Sequence, residues 1–169
     1  MDERPMLAHL PSEFMTWLWY ASVRDGGSMN LGGDIGWIDV WVDDRIAFRG
    51  AGDDRPRAVM TGDNAAEAVE SRAALAGGRV VKELRLAIRR GDREFGLTLR
   101  NPTLDLAQVK LPSSMTGDEA IYERMALHEE LSYLVAGLLR VFARERTDEA
   151  YRETTLPKMR AWVGEAVGA

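Results

Sequence analysis

Seven basic residues crowd one short stretch of this chain: Arg79, Lys82, Arg85, Arg89, Arg90, Arg93 and Arg100. Guanidinium and ammonium groups in such a run neutralise a phosphate backbone without reading bases, because phosphate contacts carry no sequence information. Val80 to Ile88 alternates apolar and polar residues, Gly91-Asp92 turns the chain, and Glu94 to Arg100 alternates back with Phe95, Leu97 and Leu99. That pattern predicts a long β-hairpin. Arg85 and Arg89 then share one strand face, while Arg89, Arg90 and Arg93 gather at the tip. The competing reading is a solvated sheet face whose arginines pair with Glu83, Asp92 and Glu94, and residue pattern alone leans toward it.

The other polar groupings carry less. Asp39, Asp43 and Asp44 are the right type for a magnesium site that cleaves phosphodiesters, but no histidine or lysine at useful spacing supports them. A strand edge followed by a turn accounts for them. His9 and His128 lie far apart in the chain, and a catalytic zinc wants two or three histidines or carboxylates held together. Asp25-Gly26-Gly27-Ser28 and Gly32-Gly33 lack the Gly-Lys-Ser/Thr of a phosphate loop and read as turns. Ser113-Ser114 follows a proline without a glycine elbow. The expectation is a chain with no catalytic residues, no metal and no cofactor.

The 169 residues, 46% hydrophobic and 29% charged, suit one globular domain, with residues 1–10 flexible. The absence of cysteine excludes disulfide frameworks, thiolate metal sites and cysteine nucleophiles, and fits a reducing compartment. No apolar run approaches the roughly 18 residues that cross a bilayer, and Met1-Asp2-Glu3-Arg4-Pro5 lacks the character of a secretory signal. A cytoplasmic, nucleoid-associated location without membrane contact is therefore expected. A net charge of −5 means that DNA binding must come from a local patch.

Around the basic hairpin, an α+β fold is expected: a curved antiparallel sheet of hairpins packed with an aromatic N-terminal helix and C-terminal helices. Ser12 caps a helix reaching Arg24, ended by Asp25-Gly26-Gly27. Trp37 to Asp43 alternates as a strand, Asp43-Asp44 forms a tight turn, and Arg45 to Arg49 returns. A polar loop at Gly50 to Pro56 leads to a short strand at Arg57 to Thr61. Asn64 to Ala76 reads as a helix and Leu104 to Leu111 as a last strand. From Gly117 onward the chain is helical, with a second piece near Asp148 and a kink or break caused by Pro157. Trp17 and Trp19 point about 200° apart on a helix, so one side needs a covering surface. Phe14, Trp17, Trp19, Tyr20 and Trp162 are the expected interface for a homo-oligomer or a protein partner.

Several segments together resemble the carboxy-terminal half of the recombination-associated RdgC family. They are Glu13-Phe14-Met15-Thr16-Trp17-Leu18-Trp19-Tyr20, Val40-Trp41-Val42-Asp43-Asp44-Arg45, Val109-Lys110-Leu111-Pro112, Tyr122-Glu123-Arg124-Met125, and Leu156-Pro157 with Met159-Arg160-Ala161-Trp162-Val163. The likeness runs from about Leu10 onward, and family members are considerably longer, having an amino-terminal half with no counterpart here. The resemblance implies non-enzymatic, sequence-independent DNA binding by a two-fold dimer, with Arg79, Lys82, Arg85, Arg89, Arg90 and Arg93 as candidate phosphate contacts. The alternative expectation is a protein-interaction or oligomerisation subunit of a larger assembly that has kept the fold without autonomous DNA binding.

Overall fold

A computed structural model describes residues 4–50, 58–62 and 69–165, with side chains from residue 10 onward. The first helix, α1, spans Arg4–Val23 and has Pro11 inside it. It starts upstream of the expected Ser12 cap and takes in residues of the segment expected to be flexible. It stops because Asp25 and Gly26 turn to positive φ in the 3₁₀ turn Arg24–Gly27. Gly27 cannot be replaced there: a Cβ would run into the Val40 carbonyl oxygen and sit 2.9 Å from that of Ser22.

Among the described residues six antiparallel strands follow: β1 (Ser28–Asn30), β2 (Trp37–Arg49), β3 (Ala58–Thr61), β4 (Val80–Arg90), β5 (Arg93–Arg100) and β6 (Asp105–Lys110). Their order is β1-β2-β4-β5-β6, with β3 also on β2. The hairpin of β4 and β5 has the expected turn, pairing Arg90 with Arg93 and Ile88 with Phe95. The tight turn at Asp43-Asp44 is not found. These two residues lie inside one continuous 13-residue strand, where the register against β4 jumps from Val42–Leu86 to Ile46–Leu84. A bulge absorbs the extra residues and leaves both aspartates at the surface. β1 pairs with one end of β2 and β3 with the other, so the bulge falls where β2 changes its outer neighbour.

Helix α2 (Val69–Ala76) precedes β4; the expected start at Asn64 lies outside the described residues, as does the polar loop at 51–57. Helix α3 (Glu119–Thr147) ends at Asp148, a π-turn covers Tyr151–Thr155, and α4 spans Leu156–Gly164. Pro157 sits in the first turn of α4, where its missing N–H costs nothing, so it opens that helix instead of interrupting it. The widened turn lies where the kink was expected.

Val40, Ile46 and Phe48 of β2, Leu84, Leu86 and Ile88 of β4, and Phe95, Leu97 and Leu99 of β5 are all buried on one sheet face. Helix α1 lies on that face and α3 lies on α1. The expected apolar interface of α1 is corrected by this layering. Phe14, Trp17, Trp19 and Tyr20 are all buried within the chain itself. Trp17 turns to Phe142 of α3 at a ring separation of 5.4 Å, and its indole N–H donates to Glu145 at 3.0 Å. Trp19 turns the opposite way, to Phe48 at 6.0 Å and to Trp162 of α4 at 5.0 Å. Two tryptophans two positions apart need two covering surfaces, and the C-terminal helices and the sheet supply both. Trp162 is half-buried and packs on Trp19 and Tyr20.

Candidate nucleic-acid interface

Strand alternation divides the basic run into three places. Arg85 and Arg89 stand opposite the buried Leu84, Leu86 and Ile88, on the outer face of the sheet. Arg90 is on the core side at the tip: its Nε donates to the Ile35 carbonyl at 3.2 Å, Nη2 to the Asp34 carbonyl at 2.8 Å and Nη1 to Glu130 of α3 at 3.1 Å. Arg93 donates to the other oxygen of Glu130 at 2.6 Å. The two tip arginines thus clamp the Leu31–Ile35 loop and the hairpin to α3, and they frame a cleft of about 770 Å³ with Tyr133 and Arg140. Arg79 follows the C-terminus of α2 at the far end of β4, roughly 35 Å from Arg90 at strand rise. Lys82 is the extra residue of a second bulge, between the pairs Ala47–Glu83 and Phe48–Val81. One continuous patch of six basic residues does not form.

The outer face instead collects basic residues from four strands. Ion pairs define it: Arg89 to Asp39 at 2.9 Å, Arg85 to Asp43 at 3.8 Å and Asp44 at 3.9 Å, and Arg45 and Arg100 both to Glu83 at 3.5 Å. Arg85 also donates to Gln108 of β6, which accepts from Thr98 as well. Of the partners expected from sequence, Glu83 is one, whereas Asp39, Asp43 and Asp44 come from β2. Lys110 lies over Gly96, where a Cβ would come within 3.3 Å of the lysine Cβ, so the glycine lets the long side chain cross the sheet. Ala47, Ala87 and Thr98 are buried on this face beneath these long side chains.

Two tryptophans belong to the same face. The Arg89 guanidinium lies 5.6 Å from the centre of the Trp41 ring. Trp37, four residues earlier on β2, is 66% exposed. Among the described residues no helix packs on this face. Hydrogen bonds from Arg89, then from Ser28, hold the Asp39 carboxyl below the usual carboxylate range. Strand alternation puts Trp37, Asp39 and Trp41 together, while the expected phosphate contacts run along the Arg85–Arg93 hairpin with Arg79 and Lys82; of these, Arg85 and Arg89 lie on the outer face, and tryptophans alternating with acids on the polar side of a strand are the signal for the rest of it.

The acidic trio does not converge. Asp39 is tied to Arg89, whereas Asp43 and Asp44 sit in the bulge beside Arg85. Among the described residues no group of three or more histidine, cysteine or acidic side chains is placed to hold a metal ion, and no helix is long and apolar enough to cross a membrane. No family model, curated protein or solved structure matches the chain.

Proposed function

We propose that this chain is a non-enzymatic, sequence-independent DNA-binding protein of the RdgC-like, recombination-associated type, and that DNA lies along the outer sheet face. The observation that carries this reading is the uncovered face itself, on which Arg45, Arg85, Arg89, Arg100 and Lys110 meet Trp37 and Trp41. Asp43 and Asp44, which hold Arg85, are exposed, while Asp39 and Glu83 are partly buried, and ion pairs at an exposed surface are worth only about 0–1 kcal/mol each. A phosphate chain offers the same guanidinium groups bidentate, charge-assisted hydrogen bonds and releases condensed counterions as it binds. Trp37 and Trp41, about 13 Å apart along the strand at 3.3 Å per residue, offer ring faces to unstacked bases. The order and spacing of the motifs from Leu10 onward agree with this assignment. A nucleoid-associated location follows from this reading.

Fluorescence anisotropy of labelled duplex and single-stranded DNA across a salt series tests it. Binding that weakens steeply with salt and is weaker, with a lower salt slope, in the Arg85→Ala/Arg89→Ala double variant is the expected result; binding unchanged by that variant contradicts it.

A second reading, a protein-interaction or oligomerisation subunit, has its own observation. Ile121, Tyr122, Met125 and Tyr133 of α3 and the neighbouring Met115 are between 52% and 76% exposed, a concentration of large apolar side chains on one helix.

A further inference from the structure

We infer that the cleft between α3, the Leu31–Ile35 loop and the hairpin tip binds a nucleoside monophosphate. Its volume of about 770 Å³ suits a ligand of that size. The walls are held in place by the chain's own contacts. Arg90 and Arg93 join the tip to Glu130, and Arg90 also holds the carbonyls of Asp34 and Ile35. The loop can lie against α3 because Gly137 has no side chain: a Cβ there would come within 2.9 Å of Leu31 Cδ1 and 3.2 Å of Ile35 Cδ1. These polar groups satisfy one another and leave the cleft preformed.

A second set of cleft groups has no such partners. Glu129, Tyr133 and Arg140 of α3 line the cleft, and among the described residues none of their side chains makes a hydrogen bond or an ion pair. They share one side of the helix, with a rise of about 6 Å from Glu129 to Tyr133 and about 10 Å from Tyr133 to Arg140. An acceptor, a ring and a five-donor cation therefore stand in line. Arg140 leans toward the helix N-terminus, and so toward Tyr133. That order matches a mononucleotide. The Arg140 fork takes two phosphate oxygens, the Tyr133 ring, 58% exposed, stacks on the base, and Glu129 accepts from an exocyclic amine. On the opposite wall Gly32 and Gly33, both at positive φ, have open space where a side chain would stand, so the ligand can reach the main chain. A bare anion would use Arg140 alone and meet repulsion from Glu129. The cleft shares no residue with the outer sheet face, so this inference stands whether or not that face binds DNA.

Titration of the isotope-labelled full chain with adenosine monophosphate, followed by NMR, tests the proposal, with adenosine and inorganic phosphate as separate arms. The expected result is saturable shifts at Gly32, Gly33 and Tyr133, with the mononucleotide binding about tenfold or more tightly than either fragment. Arg140→Ala and Tyr133→Ala, both at exposed positions, should each weaken its binding by about tenfold, the scale of one charge-assisted or stacking contact, while the rest of the spectrum stays in place. The proposal is overturned by absence of binding, by phosphate binding as tightly as the mononucleotide, or by shifts confined to the Trp37 and Trp41 indole signals. Undiminished affinity in both variants overturns it too. If Arg140→Ala disturbs the fold, Arg140→Lys replaces it, since lysine keeps the charge and loses the fork, and affinity equal to that of the parent chain then counts against the proposal in the same way.

Discussion

Arg89 and Asp39 are joined by two hydrogen bonds, Nε and Nη2 both donating to Asp39 Oδ2, at 3.3 and 2.9 Å. The same guanidinium lies over Trp41. One side chain therefore links an acid and an aromatic ring of β2 to the centre of the sheet, and a phosphate that reaches Arg89 must displace Asp39. Replacing Asp39 with Asn should tighten DNA binding by about two- to fivefold, the scale of an exposed ion pair. Arg89→Ala should weaken it and lower the slope of log affinity against log salt by about one. Anisotropy titrations at several salt concentrations read both.

The tip arginines make the opposite prediction. Arg90 and Arg93 share Glu130, and Arg90 also holds two loop carbonyls. Arg90→Ala should cost about 1–3 kcal/mol of stability, because it leaves partly buried acceptors unsatisfied, while the salt slope of DNA binding stays unchanged. Denaturant unfolding paired with the same titrations separates the two effects.

Trp17 is a core residue between α1 and α3, so Trp17→Ala should cost about 3–5 kcal/mol and lower the melting temperature sharply. Trp37→Ala should leave stability nearly untouched and weaken single-stranded DNA binding, since stacking on one ring is worth about 1–3 kcal/mol. Thermal melts and anisotropy on the two variants check this division.

Glu123 ties down the approach to α3. It accepts from the Ser113 hydroxyl at 2.7 Å, from the Met115 N–H at 3.0 Å and from Ser114. Led by the Ser113 bond, these contacts bring its pKa from 4.5 down to about 2. Because the folded-state value is depressed, its contribution is complete above pH 4.5 and disappears as pH falls toward 2. Melting temperatures of the parent chain and Glu123→Gln should therefore differ at neutral pH and converge across that window.

Much of the fold was legible because its signals are local. The alternation on both sides of Gly91-Asp92 gave the β4–β5 hairpin, and Asp25-Gly26-Gly27 marked the end of α1. Asp43-Asp44 misled because two aspartates between apolar runs have turn chemistry, while only pairing with β4 reveals the bulge. The tryptophans of α1 looked unpartnered because Phe142 and Trp162, which lie against them, are more than 120 positions away in sequence. The site was half legible: the arginines were visible, but which of them faces Glu130 and which faces Asp39 depends on side-chain alternation against two distant elements.

The most direct test of the account is the salt dependence of DNA binding by the parent chain beside Arg85→Ala/Arg89→Ala. The account predicts binding that falls linearly with log salt, indifferent to base sequence, and a double variant whose slope is lower by about two. No binding at low salt, or a variant with the parent slope, would contradict it.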